Sequence, residues 1–212
     1  MQLIPTINEQ NFEAIKEKIK IVENLVDMIQ LDIADGKFTS YKTWDNPEDL
    51  LSLNSFVKFE IHLMIEKPEE TIERWLKIPS IKRIIVHVET INEKVFAKIY
   101  TLTNQYQKEL GLALESKTPW EALNPYLPSI NFVQILAVST GPAGQTFEFH
   151  NLEKIKILKN QYPNLIIEVD GGVNNDTAPL IKAAGADIIC SSSYLFSDIN
   201  KVEEKIKFLE NI

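Results

Sequence analysis

Asp32, His62 and Asp170 each interrupt or end an apolar run, in "QLDIAD", "EIHLM" and "LIIEVDGG". Two carboxylates and one imidazole are a donor set for a divalent ion such as zinc, manganese or iron. Their spacing along the chain is not a metal motif, so the chemistry depends on a fold that brings them together. Taken singly, each has a blander reading. Asp32 would cap or salt-bridge a loop, and His62 would be a satisfied core histidine. Gln30 lies two residues before Asp32 and so shares its face on a strand, as Met64 does with His62. His87 reads as a core histidine, and Asp35–Gly36 as a turn.

A second set of residues suits an anion. "GPAG" (141–144), "GG" (171–172) and "SSS" (191–193) each follow an apolar run. Glycine lets backbone N–H groups approach a ligand closely. The alternative is that these glycines only make tight turns.

The elements that must position these residues alternate regularly. Apolar runs at 1–6, 28–34, 56–64, 83–88, 109–114, 131–138, 165–170 and 186–192 predict eight strands. Helical spacing follows each of them, at 11–25, around "NPEDLLSL", and at 68–78, 92–107, 119–127, 151–161, 176–185 and 199–212. Continuous apolar strands are buried on both faces, which indicates a parallel sheet. Eight such units predict a (β/α)8 TIM barrel, a single domain over residues 1–212. In that fold the strand C-termini carry the chemistry, and the loops after strands seven and eight form a recurrent phosphate site. Asp32, His62 and Asp170 end strands two, three and seven, and Thr6 ends strand one. A barrel of this kind would let the first three converge.

Composition excludes other classes. The net charge of −8 argues against a nucleic-acid binder. Neither GxGxxG nor GxxxxGK[ST] occurs. Cys190 is the single cysteine, so no intrachain disulfide forms and a reducing, cytoplasmic setting is expected. No signal peptide or membrane span is predicted. Tyr41 and Trp44, read as surface aromatics, leave room for a homo-oligomer.

The blocks "LDIADGKF", "EIHLMIEKP", "IIVHVE", "GLAL", "GPAGQTF", "IIEVDGGVNNDT" and "AGADII" occur in an order that resembles the ribulose-phosphate 3-epimerase family. The resemblance runs from "LIPTI" to "SSSYLF". It implies a ribulose-phosphate-binding barrel that interconverts ribulose 5-phosphate and xylulose 5-phosphate, with one divalent metal, Zn, Mn or Fe. It makes Asp32 and Asp170 the acid–base pair and, with His62, metal ligands. Thr6 falls where a substrate-contacting serine is usual, and Met64 falls near the reacting carbons. Gly141, Pro142, Ala143 and Gly144 match a loop over the sugar phosphate. Gly171, Gly172, Ser192 and Ser193 match the phosphate grip. Two bases suit the reaction, because inversion beside a ketone removes a proton from one face and returns one to the other.

Departures are specific. Gln30 stands where the family has its other metal histidine, and an amide oxygen is a poorer zinc ligand than imidazole. Ser192 replaces a glycine, Ala34 a methionine, and Lys37 a common second histidine. A decarboxylase or aldolase of the same superfamily would need Asp-x-Lys at strand two, and Ala34 argues against it. Gln30 also keeps open a phosphosugar-binding barrel without catalysis.

Overall fold

The computed structural model describes residues 1–212. Eight strands, β1 (Gln2–Ile7), β2 (Met28–Ala34), β3 (Lys58–Met64), β4 (Ile81–His87), β5 (Glu109–Leu114), β6 (Phe132–Leu136), β7 (Ile166–Asp170) and β8 (Ile188–Ser191), pair in sequence order. Every pairing is parallel, and β8 returns to β1 to close the barrel. Closure leaves no unpaired strand edge.

Seven α-helices surround it: α1 (Phe12–Val22), α2 (Ile72–Leu76), α3 (Glu93–Gln105), α4 (Asn151–Gln161), α5 (Ala178–Ala184), α6 (Ser193–Phe196) and α7 (Val202–Glu210). Two of them, α1 and α3, start at side chains that satisfy free N–H groups. Asn11 caps α1 through Ala14 N at 2.9 Å, and Asn92 caps α3 through Lys94 N and Val95 N at 3.0 Å each. Ile15, Ile19 and Val22 then place the apolar stripe of α1 on the barrel.

The helical ring is thinner than the sequence pattern predicts. After β2 and β5 only short 3₁₀ turns form, at Pro47–Ser52 and Trp120–Leu123. Pro125 and Pro128 follow the second turn and deny it the donors an α-helix needs. The helix expected over 68–78 breaks at Thr71 into a 3₁₀ turn and α2. β6 stops at Leu136: Ala137 N still donates to Asp170 O of β7, but Ala137 O accepts from Glu148 N of the following loop. Trp44 is a correction: it is buried, stacks on Phe12 at 5.3 Å and donates Nε1–H to Asp49 at 2.9 Å. Its ring packs against Phe12 of α1 and Trp75 of α2 and carries no argument for an oligomer.

Inside the barrel, side chains fill the lumen in layers. Gly111 makes room for a large ring, since a Cβ there would lie 2.6 Å from Phe132 Cδ1. The Arg83 guanidinium sits 3.8 Å from the centre of that ring. Above this plug the lumen is polar. Strand parity places Gln30 with Asp32, Glu60 with His62 and Glu168 with Asp170 on inward faces.

Candidate active site

The upper polar layer ends at the strand C-termini. Asp32 and His62 are adjacent in register on β2 and β3. Asp170 reaches them from β7 across the lumen. His62 Nδ1 lies 3.1 Å from Asp32 Oδ1 and 3.7 Å from Asp170 Oδ2. One ligand atom from each of the three falls within 4.8 Å of the others. The convergence expected of these residues is therefore present.

Gln30 is fully buried beneath them. Its Nε2 donates to Asp170 Oδ2 at 2.7 Å and to Asp32 Oδ1 at 2.9 Å. Its Oε1 turns away and accepts from Gln134 Nε2 at 2.6 Å and Cys190 Sγ at 3.4 Å. The amide thus presents a donor, not a lone pair, to the three-residue cluster. The cluster itself fits a divalent ion: two buried carboxylates and an imidazole nitrogen, with excess negative charge that a cation would balance. Gln30 joins such a set only with its amide turned over, which gives up the contact with Gln134.

Protonation follows from this burial. Burial, and then the charge of Asp32, raise the Asp170 carboxyl from an ordinary 3.8 to about 7. Burial by itself would lower His62, but the Asp32 hydrogen bond and the charges of Asp32 and Asp170 hold it above its ordinary value. Burial lowers His87.

A cleft of about 500 Å³, counted to its open mouth, begins at this cluster. Asp32, His62 and Asp170 form its floor, with Thr6 and Met64 beside them. Its far wall is Gly141, Pro142, Ala143 and Gly144, facing Gly171, Gly172, Ser192 and Ser193. No lysine or arginine lines it, so an anion there would be met by N–H groups and hydroxyls. Gly171 and Gly172 have φ of +100° and +68°. A Cβ on Gly172 would lie 2.5 Å from the Phe147 backbone nitrogen. This pair is closed to side chains by backbone shape as well as by space.

Several site residues escaped the sequence reading. Asn8 lines the cleft and donates to Asp32 Oδ2 at 3.1 Å. Thr6 Oγ1 and Asn8 Oδ1 are buried there with no protein partner. Below Gln30, Gln134 Nε2 also donates to Glu168 Oε1 at 2.9 Å. Burial, then the neighbouring Glu60, push the Glu168 carboxyl well up. Glu60 pairs with Arg83 at 2.6 Å. Polar residues two positions before a candidate residue, on the same strand face, were the available signal. His87, read as a core histidine, is buried as expected, but it also touches His62, with the two Nε2 atoms 2.8 Å apart.

Comparisons with known proteins agree with the architecture. The ribulose-phosphate 3-epimerase of Chlamydia pneumoniae is 34% identical over 192 residues, 86% of this chain and 82% of that protein. That of Bacillus subtilis is 30% identical over 217 residues, 98% of each chain. Among solved structures, a 3-hexulose-6-phosphate synthase superposes with a TM-score of 0.73 at 14% identity, over 100% of this chain and 99% of the other. Orotidine 5'-monophosphate decarboxylase from Sulfolobus solfataricus gives 0.68 at 14% identity, over 99% and 98%. At that identity the structures speak for the barrel alone. The model of the ribulose-phosphate 3 epimerase family matches residues 2–196, from the first residue of β1 to the last of α6. With a family match over nearly the whole barrel, and relatives named as this epimerase at up to 34% identity, the chain belongs to the ribulose-phosphate 3-epimerase family, a family of isomerases.

Proposed function

We propose that the protein inverts C3 of a ketose phosphate, interconverting ribulose 5-phosphate and xylulose 5-phosphate. The observation that carries this reading is the placement of Asp32 and Asp170 on β2 and β7, at the floor of a cleft whose far wall is glycine-rich. The phosphate rests among Gly141–Gly144, Gly171, Gly172, Ser192 and Ser193. The sugar carbons then lie over the two carboxyl groups, with Met64 excluding water beside them.

The proton count works with one carboxyl ionised and one protonated. The ionised partner takes the C3 proton, and the C–H electron pair moves into the enediolate. The protonated partner gives its proton to C3 from the other face. Without an ion, burial and the charge of Asp32 raise Asp170 to about 7, a range suited to proton exchange near neutral pH. Thr6 Oγ1 and Asn8 Oδ1 are free to meet substrate hydroxyls. A divalent ion held by Asp32, Asp170 and His62 Nδ1 would supply positive charge against the enediolate oxygens.

Exchange of the substrate C3 proton with deuterium from solvent tests the reading, with Zn²⁺, Mn²⁺, Fe²⁺ or Co²⁺ supplied. No exchange with any of them would reject it. A second reading, a barrel that holds a phosphosugar without turning it over, is favoured by the Gln30 donor facing the cluster. Binding of ribulose 5-phosphate without exchange would select it.

A further inference from the structure

Behind His62, away from the cleft, lies a row of side chains that the proposed reaction leaves unused. His62 Nδ1 faces the carboxylates, so its Nε2 faces into the barrel wall, 2.8 Å from His87 Nε2. His87 Nδ1 lies 3.1 Å from Glu89 Oε2. The other oxygen of Glu89 accepts from Glu115 N at 2.8 Å. The two imidazoles stack with ring centres 5.0 Å apart, and both are fully buried.

Valence fixes the direction of this row. Two nitrogens at hydrogen-bond distance hold one proton between them. A neutral imidazole that ligates an ion through Nδ1 carries its proton on Nε2. His62 then donates from Nε2, and His87 must accept at Nε2. His87 therefore keeps its own proton on Nδ1, where Glu89, an acceptor only, receives it. Each member needs the next in this sense, and the reverse order would set the bare Nδ1 of His87 against a carboxylate.

We propose that Glu89 and His87 are positioning residues: Glu89 sets the tautomer of His87, and His87 sets the tautomer and tilt of His62 so that its Nδ1 lone pair faces the cluster. The proposal rests on the metal-site reading above. Outer partners of ligating histidines act on the ligand's basicity and orientation, and their loss weakens binding by about 10–100-fold.

Two measurements on the full chain test it. Long-range ¹H–¹⁵N NMR of the Zn²⁺-loaded protein reads which ring nitrogen of His87 bears hydrogen. The expected result is a protonated Nδ1 and a bare Nε2, and the opposite tautomer overturns the proposal. Zn²⁺ affinity is then read by competition with a chromophoric chelator. Glu89→Leu and His87→Phe should each bind Zn²⁺ about 10–100-fold more weakly than wild type. Glu89→Gln, which keeps an acceptor oxygen, should lose less and guards against a Leu variant that does not fold. Folded variants with wild-type affinity overturn the relay. A wild type that takes up no Zn²⁺ overturns the positioning role together with the metal reading, and that failure is visible without any variant.

Discussion

Gln30 Nε2 lies 2.7 Å from a carboxylate oxygen of Asp170, across the barrel lumen from β2 to β7. The same nitrogen reaches Asp32 at 2.9 Å, so one neutral amide holds both acid–base candidates. Where the family places a second metal histidine, this chain places a group that is a hydrogen-bond clamp as it stands and a ligand only when turned over. The consequence is a site whose two carboxyl groups are held by a shared hydrogen-bond donor.

The first prediction concerns that clamp. Gln30→His restores an imidazole and should tighten Zn²⁺ binding by about tenfold or more. Gln30→Leu removes the shared donor from two buried carboxyl groups and should cost about 1–3 kcal/mol of stability in metal-free protein. Isothermal titration with Zn²⁺ and thermal unfolding read the two effects. A Gln30→His variant that binds Zn²⁺ no better would mean the position does not face the ion.

The second concerns the two acids. Asp32→Asn and Asp170→Asn should each lower kcat by about 10²–10⁴-fold. They should differ in partial reactions. Each variant keeps one group able to take the C3 proton, so each should retain solvent exchange from one epimer in preference to the other. Deuterium uptake, starting separately from ribulose 5-phosphate and xylulose 5-phosphate, reads this. Equal residual exchange from both epimers would argue against a one-face role for each acid.

The third is a pH dependence. Asp170 titrates at about 7 in the fold against an ordinary 3.8. Between those values the folded chain binds more protons than the unfolded one, so its stability falls as pH rises through that window. Glu60 and Glu168 are also raised and act in the same sense. Metal-free Asp170→Asn should therefore lose less Tm than wild type as pH increases from about 5 to about 8. Parallel curves would show that Asp170 is ionised throughout.

The fourth separates the phosphate grip from general strain. Gly172→Ala places a Cβ 2.5 Å from Phe147 N at a φ of +68°. It should cost about 2 kcal/mol or more and weaken binding of inorganic phosphate. Gly36→Ala is the control: φ is +76° there too, but the nearest atom is Lys42 Cβ at 3.5 Å, and Gly36 lies outside the cleft. It should lower Tm and leave phosphate affinity as in wild type. Loss of phosphate binding in both would assign the effect to the fold.

The barrel was legible because eight mostly apolar runs alternate with helical spacing, the pattern of parallel strands buried on both faces. Asp32, His62 and Asp170 stood out at strand ends for that reason. Glu60, Gln134 and Glu168 lie deeper in the same strands and passed as incidental, because no local pattern says which polar residues share a layer across a lumen. Parity on each strand held the clue, but register between strands is a tertiary property. Trp44 failed for a related reason: its burial comes from Phe12 and Trp75, rings far from it in sequence. The direction of the Gln30 amide could not be read either, since it is decided by Gln134 from β6.

The last prediction concerns the floor of the lumen. Arg83 donates Nη1–H to Glu60 at 2.6 Å and Nε–H to Glu109 at 3.0 Å, under the Phe132 ring. Its charge works against the burial that raises the Glu60 carboxyl, while burial and the neighbouring Glu60 push Glu168 well up. Arg83→Met leaves the buried Glu60 carboxyl group with no positive partner and should cost about 3–5 kcal/mol, the cost of breaking a buried pair from one side. Removing both charges in Arg83→Met/Glu60→Leu should recover much of that loss, because the desolvation penalty of the carboxylate goes with it. Denaturant unfolding of the two variants and wild type closes the cycle. A double variant no more stable than the single one would mean that Arg83 supports the barrel through its stacking on Phe132 rather than its charge.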